Sequence, residues 1–279
     1  MACGSLVLLA SAAHAQDAPT FTKDIAPILW AHCGSCHRPG DLAPFPLLDY
    51  KDVRPRARRI VEVTAARRMP PWLPDAGPHF DGARGLAQAD IDLIAAWAAA
   101  GALEGRPSDL PTRPTWKSGW QLGTPDLVVQ ASAPYTLAAG QGDVFRNMVL
   151  RVPITSGRWI RGIEVDPGNR RVVHHAAIAV DRTDASRRFD AADPAAGFPR
   201  DMIAASSARS PEGRALGWTP GMTPSFEPPG MAWRLEPGSD LVLLLHLMPG
   251  ARPEVLRPRI ALYFAPEPPA RRSMDFKLG

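Results

Sequence analysis

Hydrophobic and polar positions follow two different patterns along the chain. Up to about residue 100 the apolar residues recur at helical spacing, whereas later they form short β-branched or leucine-rich runs between Pro and Gly turns. The helical pattern covers Phe21 to Cys33, Asp52 to Arg68 and Gln88 to Ala100. The later runs lie at 126–131, 147–152, 159–165, 172–180, 241–247 and 259–264, and no helical segment is predicted between them. The predicted fold class is multidomain, with an all-α domain followed by an antiparallel β-sandwich.

The chain length agrees with this division. A sequence of 279 residues is long enough for two domains of ordinary size. Prolines at positions 107, 111 and 114, with polar residues between them, indicate a semi-rigid connection. We therefore predict a signal peptide at 1–15, the helical domain at 16–105, a Pro-rich linker at 106–122 and the sandwich at 123–279.

Composition and charge exclude several classes of protein. Hydrophobic residues make up 45% of the chain and charged residues 22%, which argues against a disordered protein. The formal net charge of +4 is too small for binding to polyanions by charge alone, so no nucleic-acid partner is expected. The sequence has no evident Ser/His/Asp triad, phosphate-binding glycine loop or pair of carboxylates. Hydrolase and nucleotide chemistry therefore have no support.

The first residues have features of an export signal. Leu6 to Ala13 is apolar, and Ala13-His14-Ala15 fits the small-x-small rule for signal peptidase. A signal peptide normally opens with a basic residue, but none occurs before Lys23, so we expect that the recorded start lies inside a longer signal. No later run reaches the ~18 apolar residues that a membrane span requires. The predicted location is the periplasm or the extracellular space.

The motif Cys33-Gly-Ser-Cys36-His37 has the spacing of a haem c attachment site. Two thiols one helical turn apart can add to the two vinyl groups of haem, and the adjacent imidazole can then reach the iron. Cys3 would leave with the signal peptide, so no second cysteine pair exists to complete a zinc site. A disulfide remains a simpler alternative, and a thioredoxin-like redox pair would require a preceding strand. We predict covalent haem c.

The second axial ligand of the haem iron is predicted to be Met69, in Arg68-Met-Pro-Pro-Trp72, because the prolines hold this loop extended. His79 is the alternative ligand, and His32 is a surface residue or a neighbour of a haem propionate. Together with the closing helix Ile91-x-x-Ile94-x-x-Trp97, these motifs resemble class I c-type cytochromes. The resemblance implies that Cys33 and Cys36 form thioethers, that His37 and Met69 are the two iron ligands, and that the domain transfers single electrons.

Three further histidines, His174, His175 and His246, lie in the strand-like runs. A lone strand histidine is usually a polar group with a hydrogen-bond partner, but three that converge are suited to copper, zinc or iron. Adjacent residues of a strand point to opposite faces. His174 and His175 can therefore share an ion only if the strand bulges or ends there.

The segments around these histidines resemble the first half of copper type II ascorbate-dependent monooxygenases. The similar segments are Val172-Val-His-His-Ala176, Trp218-Thr-Pro-Gly221 and Gly238 to His246. The resemblance implies that His174, His175 and His246 hold the electron-transferring copper. The family's catalytic copper lies in a second sandwich, and the sequence ends at Gly279 before one. The family's Tyr after the single histidine is also missing, and Met248 is considered as a soft donor instead.

These observations lead to one main hypothesis and two alternatives. The main hypothesis is an exported monohaem c-type cytochrome that transfers single electrons and is coupled to a copper-binding sandwich. The first alternative is a fragment of a haem-linked copper monooxygenase whose catalytic copper domain is supplied separately. The second is a sandwich that binds no metal and docks the cytochrome to a redox partner protein.

Overall fold

The computed structural model describes residues 18–72, 83–140, 142–201, 207–211, 214, 216–271 and 273. The described residues group into two compact units. The first, called the helical unit, contains residues 18–32 and 47–113. The second, called the β unit, contains residues 33–46 and the chain from residue 114 onward.

The helical unit consists of short helices. A π-helical turn at Phe21–Ile25 continues into α1 (Ala26–His32), and the later helices are α2 (Tyr50–Val53), a 3-10 turn (Arg54–Arg56), α3 (Ala57–Ala65), α4 (Gln88–Ala99) and a 3-10 turn (Pro107–Asp109). Ile25, Leu29, Ile94 and Trp97 are fully buried and form its core. Each such side chain contributes about 1.5–3 kcal/mol through burial.

The β unit is built from antiparallel strands. They are β1 (Leu127–Gln130), β2 (Tyr135–Leu137), β3 (Val144–Arg151), β4 (Arg158–Asp166), β5 (Val173–Asp181), β6 (Phe198–Pro199), β7 (Leu216–Trp218), β8 (Trp233–Leu235), β9 (Asp240–Leu247), β10 (Glu254–Leu256) and β11 (Arg259–Phe264). A helix, α5 (Ala185–Ala192), follows β5.

These strands form three sheets that share a hydrophobic core. The strand orders are β1-β11-β4-β8, β6-β3-β9-β5-β7 and the pair β10-β2. Ile160 and Leu262 of the four-stranded sheet belong to one buried cluster with Leu150 and Leu243 of the five-stranded sheet. The five-stranded sheet has β9 at its centre, flanked by β3 and β5. This arrangement positions the candidate metal ligands.

The predicted fold class is wrong. The chain is mostly antiparallel β-sheet, with 26% of residues in strands and 22% in short helices, and it is not an all-α cytochrome domain followed by a sandwich. The segment Cys33–Pro46 contains no helix and groups with the strands. The glycines and prolines of this segment disfavour a helix, and α1 ends at His32, just before them. The second predicted helix is also broken, because Pro55 falls within a 3-10 turn between α2 and α3.

The positions of the predicted strands agree better with the structure. Each of the six predicted runs overlaps a strand, namely β1, β3, β4, β5, β9 and β11. The expectation that no helix lies between the strands is wrong, because α5 lies between β5 and β6. None of the helices in the described part of the chain combines the length and apolar character that a bilayer span requires.

Candidate metal and haem sites

A β-bulge brings two adjacent histidines of β5 into one cluster. In the ladder between β5 and β9, Val173 pairs with Leu247 and His175 pairs with His246, so His174 is an extra residue without a partner opposite. A bulge of this kind bends the strand and re-aims a side chain. The bulge that the sequence required for a shared ion is therefore present at His174.

The three imidazoles of this cluster meet through their Nδ1 atoms. His174 Nδ1 lies 3.1 Å from His175 Nδ1 and 3.2 Å from His246 Nδ1. One potential ligand nitrogen from each of the three histidines lies within 4.8 Å of the other two. With metal–nitrogen bonds of ~2.0–2.1 Å, tetrahedral geometry separates two ligand nitrogens by ~3.3 Å. The two Nδ1–Nδ1 separations fit a single ion bound by Nδ1 atoms.

Asp143 and Phe145 orient the ring of His246. Asp143 Oδ2 lies 2.8 Å from His246 Nε2, so the carboxylate can accept the Nε2–H hydrogen bond. The proton on Nε2 leaves the Nδ1 lone pair available to a metal, and carboxylate partners of this kind are typical of metal-binding histidines. The Phe145 ring stacks on the imidazole at a centroid distance of 4.3 Å and an angle of 12°.

The surroundings of His175 favour its neutral imidazole. Burial is the largest cause that lowers the pKa of His175, and nearby His246, His174 and Arg200 lower it further. Neutral imidazole is the form that binds metals. His174 is exposed, whereas His175 and His246 are half-buried, so one side of the cluster is open to solvent. An ion bound by three nitrogens would keep a position for another ligand on this side.

Met248, the alternative soft donor, lies just beyond the end of β9. Its backbone N–H donates to the Val172 carbonyl at 2.8 Å, which continues the pairing next to the bulge. Its side chain is 43% exposed. The described donor set of the cluster is therefore three imidazoles, with Asp143 behind one of them.

The haem motif forms a single turn in the β unit. The backbone N–H groups of Cys36 and His37 both donate to the Cys33 carbonyl, at 3.1 and 2.8 Å. Both cysteines are free thiols and are not joined in a disulfide. Burial, with a smaller contribution from Cys36, raises the pKa of the Cys33 thiol to about 12. The two thiols and the adjacent imidazole thus lie within one turn, which fits the requirement for haem attachment.

The Phe45 carbonyl determines which nitrogen of His37 is available. His37 Nδ1 lies 3.1 Å from the Phe45 oxygen, so in the neutral ring Nδ1–H donates to that carbonyl. Nε2 is then left with its lone pair, as a metal ligand requires. The Phe45 ring also contacts the imidazole, with centroids 5.1 Å apart. These contacts make His37 fit the role of an iron ligand.

The other predicted iron ligands lie in the helical unit or outside the described residues. Met69 follows α3, where its backbone N–H donates to the Val63 carbonyl at 3.2 Å, and its side chain is exposed. His32 is the last residue of α1 and is half-buried. The alternative ligand His79 and Cys3, the cysteine of the predicted signal peptide, fall outside the described residues.

Sequence reasoning missed two groups that complete these sites. Asp143 precedes β3 and reaches His246 only because β3 pairs with β9, so no local motif indicates it. The Phe45 carbonyl is a backbone group and has no sequence signal. Comparison with protein-family models and with curated proteins gives no match.

Proposed function

We propose that this protein is an exported one-electron carrier with two metal centres. Cys33, Cys36 and His37 hold a covalent haem c, and the cluster of His174, His175 and His246 holds a copper ion. The observation that carries the proposal is the bulge at His174, which places three imidazole nitrogens at the separations of a single metal site. A regular strand would have separated the two adjacent histidines.

The donor set favours copper among the common metals. Imidazole nitrogen suits copper, zinc, nickel and iron, and Cu(II) binds most tightly of the divalent first-row ions. Three imidazoles with an open side suit a metal that exchanges electrons or takes one further ligand. Copper and haem, when bound, each supply one-electron chemistry by changing the oxidation state of the metal.

The residues of the chain have positioning roles in this proposal. Asp143 and Phe145 hold the His246 ring so that Nδ1 faces the other two imidazoles. The Phe45 carbonyl does the same for His37 by accepting its Nδ1–H. Rings held in this way change little when the charge on a bound metal changes, which favours electron transfer. The proposed partner of this protein in electron transfer is a redox protein or a separate catalytic copper domain.

Haem and copper content of the full chain tests the proposal. The protein is produced with the cytochrome c maturation machinery, exposed to copper and freed of excess metal. We expect covalent haem by heme staining of a denaturing gel and a copper-to-iron ratio near one by elemental analysis. His246→Ala should lose the copper and keep the haem. His32→Ala, which changes a histidine outside the cluster, should keep both. Absence of covalent haem, or copper retained in His246→Ala, would refute it.

A further inference from the structure

A cavity in the β unit lies against the four-stranded sheet. Its volume is ≈ 740 Å³, within the usual range for small-molecule sites, and none of the three clustered histidines lines it. One wall comes from β4, a second from the segment Trp116–Gln121, and a third from residues 222–228. The cavity is therefore separate from the histidine cluster.

Aromatic and other apolar side chains form much of this cavity. The aromatic residues that line it are Trp116, Trp120, Trp218, Phe226 and Trp233. Met222 and Phe226 are among the few large apolar side chains of the described chain that are strongly exposed, at 47% and 36%. Apolar groups left open to water inside a concave surface mark a place where a ligand can bury them.

Three of the tryptophans are each covered by an arginine that also lines the cavity. The pairs are Arg38 over Trp116 at 5.4 Å, Arg170 over Trp218 at 5.7 Å and Arg259 over Trp120 at 5.5 Å. Guanidinium groups at this distance interact with the ring face. The cavity thus presents cations beside flat aromatic surfaces.

The carboxylates of the cavity already have partners. Glu164 accepts hydrogen bonds from Tyr263 Oη at 2.5 Å and from the backbone N–H groups of Gln121 and Leu122 at 2.7 Å. Asp166 pairs with Arg259. Glu227 pairs with Arg214 at 2.7 Å. Asp166 and Glu227 are therefore neutralised by arginines, whereas Glu164 keeps a single negative charge and is satisfied by neutral donors.

Two cations of the cavity remain without a carboxylate partner among the described residues. Arg170 lies over the Trp218 ring at 5.7 Å, and Lys117 donates to the Gln121 carbonyl at 3.1 Å. Arg38 differs, since it pairs with Asp41 at 2.8 Å. The cavity therefore has an aromatic interior and an excess of positive charge at Arg170 and Lys117.

We propose that this cavity binds a small planar aromatic anion, such as a carboxylate or sulfonate on two or three fused rings. The rings would lie against the tryptophan side chains, and the anionic group would face Arg170 and Lys117. The volume suits a ligand of this size, and charge and stacking contacts together give selectivity for both charge and flatness. The proposal does not depend on copper binding.

Calorimetric titration of the full haem-loaded chain with 2-naphthoate tests this site. We expect saturable binding that weakens with added salt, and at least tenfold weaker binding of 2-naphthalenemethanol and of cyclohexaneacetate. The first comparison removes the charge and the second removes the flat ring. The same affinity for His246→Ala should show that the site is independent of the histidine cluster.

Two neighbouring arginines provide a matched pair of variants. Arg170→Glu should weaken naphthoate binding at least tenfold, whereas Arg171→Glu, which makes the same charge change at an exposed residue outside the cavity, should change it less than twofold. Trp116→Leu, at a half-buried position, should weaken binding about fivefold. Absence of saturable naphthoate binding, equal binding of the alcohol, or equal losses for the two arginine variants would overturn the proposal.

Discussion

The haem motif and the histidine cluster bring their candidate metal ligands together in different ways. Cys33, Cys36 and His37 lie within one backbone turn, whereas His174 and His246 are 72 residues apart and meet through a strand ladder. The first site depends on local spacing along the chain. The second depends on strand register, because a shift of one residue moves a side chain to the other face of the sheet. Changes to the sheet should therefore affect the cluster and spare the haem motif.

The largest expected effect is at the local site. The double variant Cys33→Ala/Cys36→Ala should carry no covalent haem, because both thioether sulfurs are gone, and its copper affinity should be unchanged. Heme staining of a denaturing gel and copper titration measure the two results. Ser35→Ala, which changes the residue between the cysteines, should keep both centres. A parallel loss of copper binding would show that the two sites are not independent.

The next effect concerns the bulge. Deletion of His174 should weaken copper binding by more than about 100-fold, because a ligand itself is lost. Removal of only a hydrogen-bond partner of a ligand usually costs less than that. The deletion should leave the free energy of unfolding equal or higher, because an uninterrupted β5–β9 ladder replaces the irregular one. Copper titration and urea unfolding test both statements. His174→Ala keeps the extra residue and should lose copper without gaining stability.

If the deletion instead unfolds the protein, the bulge is needed for folding of the sheet. The interpretation of the bulge as a device that serves the metal site would then be wrong.

A smaller effect is expected from the carboxylate behind His246. Asp143→Ala should weaken copper binding by about 10–100-fold, because the His246 ring loses the acceptor that orients it. Asp143→Asn keeps an acceptor oxygen and should lose less. Asp92→Ala changes an exposed carboxylate on α4 and serves as the control. Equal affinities for Asp143→Ala and the unchanged protein would remove Asp143 from the site.

The smallest effect on copper is expected at the opposite end of β5. Burial raises the pKa of Asp181, but hydrogen bonds from Ser186 and Thr183 outweigh it and hold the pKa well below the usual range. Asp181→Asn should reduce the free energy of unfolding by about 2–4 kcal/mol at neutral pH and change copper affinity less than twofold.

The contribution of the Asp181 carboxylate to the free energy of unfolding should depend on pH. A carboxyl group with a lowered pKa stabilises the fold above its unfolded pKa of ~3.9, and that stability is lost as the pH falls toward the folded value. Urea unfolding from pH 6 to pH 3 should therefore show a smaller difference between the unchanged protein and Asp181→Asn at the acid end. Asp184→Asn, at an exposed surface pair, is the control. A constant difference across this range would contradict the assignment.

The sequence predicts the positions of the longer strands but not those of the short ones. The six predicted runs overlap strands of four residues or more, whereas β2, β7, β8 and β10 have three residues each and are too short to show a period. The helix α5 was missed because its sequence, ASRRFDAA, has only one large apolar residue. The break in the predicted second helix could have been predicted from Pro55, because proline disrupts a helix interior.

The prediction of the fold class was wrong for a different reason. Local periodicity identifies elements one at a time and does not show which elements pack together. The haem motif follows a helix in sequence, yet segment 33–46 groups with the strands. Likewise, the sequence identified His174, His175 and His246 and the need for a bulge, but Asp143 joined the site only through the pairing of β3 with β9.

The sequence by itself determined the chemistry available to this protein: two thiols and an imidazole at fixed local spacing, and three further imidazoles on strand-forming segments. Such features depend on covalent connection and on backbone preferences of a few residues. Only the tertiary structure decided that the three imidazoles converge, that a carboxylate orients one of them, and that tryptophans and arginines line a common cavity. Those outcomes depend on strand register and on burial between sheets, which are long-range properties of the whole fold.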